Sequence, residues 1–169
     1  MNEKRLALLQ RDELYVAGVF SSSGIFSTTL PTKSKSEVVR HVNGKGLKEE
    51  NHPADMRVLE MVFEVMNGNR IDTSQLKFDF TGLTPKQTLV LKAVLKIPYG
   101  ETRTYEDIAH QAGLQNASRF VGNVMASNRF PPLIPCHRVV AKHGIGGYSA
   151  GYGLATKRAL LKEEGVFAD

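Results

Sequence analysis

The chain has 169 residues, of which 41% are hydrophobic, so it can form one large domain or two small ones around a core. Residues 85–165 contain 11 Lys and Arg against 5 Asp and Glu, a net charge of +6, whereas the whole chain carries only +5. This asymmetry favours an anionic partner for the C-terminal half. A single cysteine excludes an internal disulfide and a multi-thiolate zinc site, and the five histidines lack ligand spacing, so no structural metal is expected.

The N-terminal segment has a short apolar run that ends at Arg11, and no later stretch approaches the ~18 apolar residues of a membrane span. We therefore expect a soluble intracellular protein that does not bind membranes. The expected compartment is the cytoplasm, or the nucleus in a eukaryote.

The N-terminal half contains signals for a hairpin and two helices. Apolar, β-rich runs at 14–20 and 25–30, separated by a Ser/Gly turn, predict the hairpin. One helix is predicted over 36–42. A second is predicted over 54–66 because apolar residues expected in the core recur at three- and four-residue steps: Met56, Leu59, Phe63 and Met66. The stretch 72–80 alternates weakly and is either a strand or a linker.

A helix start signal marks the beginning of the C-terminal half. Thr84 is a suitable N-cap, Pro85 suits the first helical position, and Gln87 can close a capping box, so a helix is predicted to run to about Ile97. A domain boundary is expected near residues 78–85.

Two further helices predict a helix-turn-helix in this basic half. Thr104 is a suitable N-cap with Asp107 at the third helical position, and Gly113 fits the residue just past the helix end. Asn116 can cap the next helix, which ends before Asn128 and the following prolines. Such a pair is also typical of a helical hairpin packed for stability, and the spacing alone does not decide between the two.

These elements predict an α+β protein with two domains. Residues 1–79 form a small N-terminal domain with a short antiparallel sheet and helices. Residues 80–169 form a mainly helical domain that contains the helix-turn-helix and the only cysteine, Cys136.

The cysteine lies in the apolar run Leu133 to Val140 and is followed by His137 and Arg138. A lone cysteine is most often a small buried hydrophobic residue. Cationic and hydrogen-bonding neighbours lower a thiol pKa from about 8.5, which here favours a nucleophilic Cys136. Because adjacent side chains of an extended chain point to opposite sides, His137 need not touch the sulfur directly, which leaves room for a bridging water.

The run PCHRVV resembles the active-site signature of the O6-alkylguanine-DNA alkyltransferases, also called methylated-DNA–protein-cysteine methyltransferases. The resemblance extends from about Phe80 to Gly165 and includes the TYEDIA helix, the SRFVGNVMASN helix, the GIGGYS loop and the final KRALLKEEG helix. Such ordered motifs are specific together. The N-terminal part resembles the family only in size and in its α+β character.

The resemblance implies a chemical role for four residues. Cys136 accepts the alkyl group by attacking the carbon on guanine O6, His137 takes the thiol proton through water, and Glu164 orients the histidine. Tyr105 donates a hydrogen bond to guanine N3 as the base leaves. The transfer is expected to be irreversible, to occur once per molecule and to need no organic cofactor.

The resemblance also implies a pocket for the alkylated base. The backbone of Val139 and Ser149 reads the guanine edge, and Tyr148 forms an aromatic wall. Pro131 and Met125 line the pocket with apolar surface, and Lys157 lies nearby.

The partner implied by the resemblance is double-stranded DNA with an alkylated guanine, bound in the minor groove with little sequence specificity. Arg119 enters the base stack when the damaged nucleotide is flipped out. Ser118 and Gly122 lie on the same helix and belong to the expected DNA contact, while Asn128 joins this helix to the active-site segment. The protein is expected to act as a monomer.

One departure from the family pattern lies beside Arg119. The family usually has small residues on the groove-facing side, whereas this chain has Phe120, Asn123 and Val124 in that neighbourhood. Phe120 puts a close approach to the groove in doubt, unless it wedges against bases as apolar side chains do in other minor-groove proteins.

Two alternatives stay open on the sequence. The same Cys and His suit a cysteine hydrolase that turns over, and the helix-turn-helix suits a DNA-binding regulator or damage-recognition module without chemistry. The sequence does not distinguish alkyl sizes, or O4-alkylthymine as a further substrate.

Overall fold

The computed structural model describes residues 3–148 and 153–166. The chain divides into two compact units, one of residues 1–81 with 129–133 and the other of residues 82–128 with 134–169. A three-stranded antiparallel sheet and several helices confirm the α+β prediction. Within the described ranges, no helix combines the length and the apolar character needed to cross a membrane.

The sheet of the first unit consists of β1 (Arg5–Arg11), β2 (Leu14–Ser21) and β3 (Gly24–Thr28), in that order. The β2–β3 pair confirms the hairpin prediction. β1 was not predicted, because its Leu-Ala-Leu-Leu run lacks alternation; it is a strand because it pairs with β2 over its whole length. β2 is therefore the central strand, and it is buried from Val16 to Ser21.

Two helices complete the first unit's secondary structure. The first, α1 (Lys35–His41), is preceded by the N-cap residue Ser34, whose side chain accepts a hydrogen bond from the Glu37 N–H. The second, α2 (Pro53–Met66), buries Leu59 and Phe63 as predicted. The two outer methionines of the predicted core are only half-buried, because the buried stripe continues instead through two valines: Val62 and Val65.

The 72–80 stretch forms no regular strand and pairs only through one bridge, between Phe78 and Ile25. Residues 129–133 join this unit because Thr28 donates its N–H to the Arg129 carbonyl at 2.9 Å and its hydroxyl to the Pro131 carbonyl at 2.8 Å. Phe130 packs edge-on against Phe78, with ring centroids 5.3 Å apart. The sequence did not indicate this return of the chain.

The second unit is mainly helical. Its helices are α3 (Pro85–Leu95), α4 (Tyr105–Gln111), α5 (Ser118–Ala126) and α6 (Leu154–Glu163). The capping boxes predicted at the starts of α3 and α4 are both present, with Thr84 paired to Gln87 and Thr104 to Asp107. Two short strands, β4 (Arg103–Thr104) and β5 (Val139–Val140), pair in parallel.

The helices α4 and α5 form the predicted helix-turn-helix. Gly113 follows α4 with a φ of +75°, a left-handed conformation that glycine adopts without strain. The predicted cap of α5 is wrong by one residue, because Ala117 holds the N-cap position and makes no side-chain cap hydrogen bond. Asn116 instead has a φ of +51° and reverses the chain before the helix.

Candidate active site

Cys136 begins a short 3-10 turn, Cys136–Arg138, that directly precedes β5. The expectation of an extended chain at this point is wrong, because Pro135 leads into the turn and the Arg138 N–H donates to the Pro135 carbonyl at 2.9 Å. Asn128 donates its side-chain amide to the Ile134 carbonyl at 3.0 Å, which joins the end of the α5 region to the approach of the turn.

The Cys136 thiol is buried, with 4% of the residue exposed. Burial raises its pKa, against the effect of Asn128, Tyr148 and Lys157, which all favour the thiolate. The sulfur is therefore mainly a thiol at neutral pH, and a nucleophilic reaction there requires a base to accept its proton.

The Tyr148 hydroxyl is buried and has no hydrogen-bond partner of standard geometry among the described residues. Burial raises its pKa well above the ordinary value, and Cys136 raises it further, so the phenol keeps its proton. A protonated phenol within electrostatic reach of the sulfur favours negative charge there.

His137 and Glu164 form a buried pair. The His137 Nε2 lies 2.9 Å from Glu164 Oε1, and the two side chains are 0% and 3% exposed. Burial opposes ionisation of Glu164, but hydrogen bonds from His137 and Arg138 lower its pKa to about 2. Because the ionised carboxylate can only accept, His137 must carry its proton on Nε2 when neutral.

The other ring nitrogen of His137 is open. Burial is the main cause that lowers the His137 pKa, while Glu164 raises it and Arg138 and Lys157 lower it, so the ring is neutral at pH 7. Its Nδ1 is buried without a hydrogen-bond partner in the described part of the chain. This nitrogen has a free lone pair and can accept a proton.

Arg138, which the sequence indicated only as a cationic neighbour of Cys136, also belongs to this network. Its guanidinium donates to both carboxylate oxygens of Glu164, from Nη2 at 2.7 Å and from Nε at 2.9 Å, and to the Ile97 carbonyl from Nη1 at 2.8 Å. The sequence separation of 26 residues between Arg138 and Glu164 conceals the pair. The signal that was available is its place directly after Cys136 and His137.

Lys157 is buried on α6, whereas a surface position is the default for a lone lysine. Its Nζ donates to the Val139 carbonyl at 2.6 Å and to the Gly147 carbonyl at 3.0 Å. Burial lowers its pKa to about 8, against the effect of Cys136. Lys157 thus joins β5 to the residue before Tyr148 and puts positive charge near the sulfur.

Tyr105 is the first residue of α4, and its hydroxyl accepts a hydrogen bond from the Gly147 N–H at 3.3 Å. The phenol proton is therefore available for a second partner. Gly146 permits this approach, since a Cβ there would lie 2.7 Å from the Tyr105 hydroxyl oxygen and the residue has a φ of +76°.

The exposed side of α5 carries the DNA-contact residues implied by the resemblance. Ser118 and Arg119 are exposed, and Gly122 lies beside the Tyr105 ring, where a Cβ would come to 3.9 Å. Phe120 is half-buried and Asn123 is exposed. Three residues of α5 are buried in the unit: Val121, Val124 and Met125. Val124 was expected in the groove-facing neighbourhood.

For two of the predicted pocket residues, Pro131 and Ser149, the structure describes no contact with the Cys136 thiol. Pro131 belongs to the first unit. Ser149 lies outside the described residues. Among residues 3–148 and 153–166, no group of three His, Cys, Asp or Glu side chains is arranged to hold a metal ion.

The sequence comparisons match both the C-terminal half and the whole chain. Residues 85–166 match the family described as 6-O-methylguanine DNA methyltransferase, DNA binding domain. A protein of Methanocaldococcus vulcanius named methylated-DNA–protein-cysteine methyltransferase is 32% identical over 163 residues, covering 94% of this chain and 96% of the relative.

The fold is also similar to solved structures. The O6-methylguanine-DNA methyltransferase of Pyrococcus kodakaraensis strain KOD1 is 26% identical with a TM-score of 0.72, covering 95% of this chain and 99% of that one. Mycobacterium tuberculosis OGT, solved in complex with DNA, is 27% identical with a TM-score of 0.71, covering 95% and 92%.

Proposed function

Because this chain belongs to the methylated-DNA–protein-cysteine methyltransferase family, we propose that it repairs DNA by moving the alkyl group of O6-alkylguanine onto Cys136. The observation that carries the proposal is the burial of the only cysteine in a turn that also holds His137, which is itself paired with Glu164 of the α6 end. The chain has no second cysteine to form a thioether, so each molecule acts once and irreversibly. The proposed transfer uses no organic cofactor.

The proton step follows from the charges around the sulfur. The buried thiol of Cys136 must lose its proton, and the Nδ1 lone pair of neutral His137 is open to receive it through a bridging water. The resulting imidazolium is stabilised by the ionised Glu164 at 2.9 Å. This is the division of labour among nucleophile, base and orienting carboxylate.

The transfer step is a displacement at the alkyl carbon. The sulfur–carbon bond forms as the carbon–O6 bond breaks, and the bonding electrons stay with the guanine. Tyr105 has a free phenol proton to donate to guanine N3, which stabilises the negative charge that develops on the base. Removal of one such donor typically lowers a rate by about 10²–10³-fold.

The proposed substrate is double-stranded DNA bound in the minor groove with little sequence specificity. Residues 80–169 carry the binding and the acceptor, and Ser118, Arg119 and Gly122 of α5 make the DNA contact. A base inside the duplex cannot reach a buried thiol, so the nucleotide must be flipped out, at a cost of a few kcal/mol. Arg119 fills the space left in the stack. The protein therefore acts where DNA is found, in the cytoplasm or, in a eukaryote, the nucleus.

The flipped guanine is proposed to lie in a pocket beside the thiol. Tyr148 and Met125 supply walls, while backbone groups of Val139 and Ser149 read the guanine edge. Lys157 supports this pocket by bonding the Val139 and Gly147 carbonyls. Pro131 is proposed as additional apolar lining, and Asn128 as the link between α5 and the turn.

A repair assay tests the proposal. A duplex oligonucleotide with one O6-methylguanine is incubated with the protein, and restored guanine is scored by cleavage with a restriction enzyme that the lesion blocks. The wild-type protein should restore the site in proportion to the amount of protein added. Repair by the C136A variant, or repair far beyond one lesion per protein molecule, would contradict the proposal, and the latter would indicate a hydrolase.

A further inference from the structure

Arg138 and His137 share one oxygen of Glu164. Oε1 accepts from His137 Nε2 at 2.9 Å and from Arg138 Nη2 at 2.7 Å, while Oε2 accepts from Arg138 Nε at 2.9 Å. The third donor nitrogen of Arg138 bonds the Ile97 carbonyl at 2.8 Å. The guanidinium thus fixes the carboxylate in its plane and joins it to Ile97, two residues beyond the end of α3.

The second effect of Arg138 is electrostatic. A buried carboxylate alone favours the imidazolium form of a neighbouring histidine. Here the positive charge of Arg138 lies against the same carboxylate, and that of Lys157 comes from α6, and both oppose protonation of His137. Glu164, Arg138 and Lys157 are the charged groups that act on the ring, and burial adds to the effect of the two cations.

We propose that Arg138 is a positioning residue, which holds Glu164 against His137 and keeps the imidazole unprotonated so that it can take the thiol proton. The inference rests on the proposed alkyl transfer and concerns a residue that does not touch the substrate. The Arg138 side chain then has two roles. Its hydrogen-bond geometry sets the maximal rate of methyl transfer, and its charge sets the pH below which that rate falls.

Two variants separate these roles. R138M removes both the charge and the hydrogen bonds, whereas R138K keeps the charge but cannot bond both Glu164 oxygens and Ile97 at once. R57M is the matched control, because Arg57 is an exposed residue of α2 in the first unit. Single-turnover methyl transfer from an O6-methylguanine duplex is measured for each protein from pH 5 to pH 9, with protein in excess over DNA.

For R138M, the midpoint of the acid limb should rise by about one pH unit relative to wild type, because one of the cations that oppose imidazolium is gone. For R138K, the midpoint should stay in place while the plateau rate falls by about tenfold through lost positioning. R57M should match wild type in both. Wild-type midpoint and plateau in R138M and R138K would overturn the proposal.

A spectroscopic titration tests the effect of Arg138 on His137 without depending on methyl transfer. Proteins with isotope-labelled histidine are titrated by NMR, and H137Q identifies the His137 signal. The His137 pKa should be higher in R138M than in wild type, whether or not methyl transfer is observed. If R138M does not fold, R138K decides: a reduced plateau with an unshifted midpoint supports the role of Arg138, and a wild-type plateau overturns it.

Discussion

The second unit contains two functional regions that differ most in burial. Around the turn of the thiol, Cys136, His137, Glu164 and Lys157 are all buried, and the last three are held by hydrogen bonds of 2.6–3.0 Å. On α5, by contrast, Ser118 and Arg119 are exposed. Burial suits chemistry, because charges act strongly where water is excluded, and exposure suits contact with a large partner.

Because the two regions differ in burial, we expect that chemistry and DNA binding can be altered independently. Removing one partner of a buried ion pair typically costs about 3–5 kcal/mol of stability, so variants near the thiol must be checked for folding. Exposed substitutions on α5 should change stability by about 0.5 kcal/mol or less.

The largest expected effect is that of C136A. It removes the proposed acceptor from the buried region and leaves α5 unchanged, so methyl transfer should vanish while the Kd for methylated duplex DNA stays at the wild-type value. Transfer is measured with radiolabelled DNA and binding by fluorescence anisotropy. Residual transfer by C136A would mean that another group accepts the methyl. A loss of DNA affinity in C136A would mean that the buried thiol region also contributes to binding, contrary to the proposed independence of the two regions.

Substitution of the proposed base should lower the rate without abolishing it. H137Q should reduce the single-turnover rate by about 10²–10⁴-fold, the usual contribution of general base catalysis. In wild type, the rate should fall as the pH drops through the lowered pKa of His137, thus below the ordinary value of about 6.5, since imidazolium cannot accept a proton. H137Q should lack this limb, and H41Q, at an exposed histidine of α1, should keep it.

R119A tests the exposed region. Nucleotide flipping costs a few kcal/mol, and loss of the side chain that fills the stack should lower transfer from duplex DNA by about 10-fold to 100-fold. The loss should be much smaller with a single-stranded oligonucleotide, whose lesion is already unstacked. Equal losses on both substrates would show that Arg119 acts on the chemistry rather than on extrusion. R57A, which removes an exposed arginine from the first unit, is the matched control and should leave transfer unchanged.

The smallest effect concerns salt. Binding should weaken as salt rises, because phosphate contacts release counterions, and a plot of log K against log salt should be linear. If Arg119 also contacts phosphate, R119A should reduce the slope by about one, whereas C136A should leave it unchanged. An affinity independent of salt would contradict binding to the DNA backbone.

Local signals explain what the sequence predicted well. The capping boxes at Thr84 and Thr104 depend on residues three positions apart, and both are present. The antiparallel hairpin of β2 and β3 is similarly local. By contrast, β1 is defined by its partner strand rather than by its own alternation, so its sequence alone did not reveal it.

The site was predictable in its residue types but not in its contacts. The resemblance drew attention to Cys136, His137 and Glu164, while the extended conformation expected at the cysteine proved to be a 3-10 turn. The contacts of Arg138 were not predicted, because its partners, Ile97 and Glu164, are distant in the chain. Nothing in the composition indicates that Lys157 is fully buried, because that depends on two backbone carbonyls brought together by folding.

The most direct test of the central claim is the mass of the protein after reaction with an excess of O6-methylguanine DNA. The account predicts that the intact mass rises by one methyl group per chain and then stays constant, and that peptide sequencing locates the methyl on Cys136. Continued loss of lesions with no change in protein mass, or a methyl group on any other residue, would contradict it.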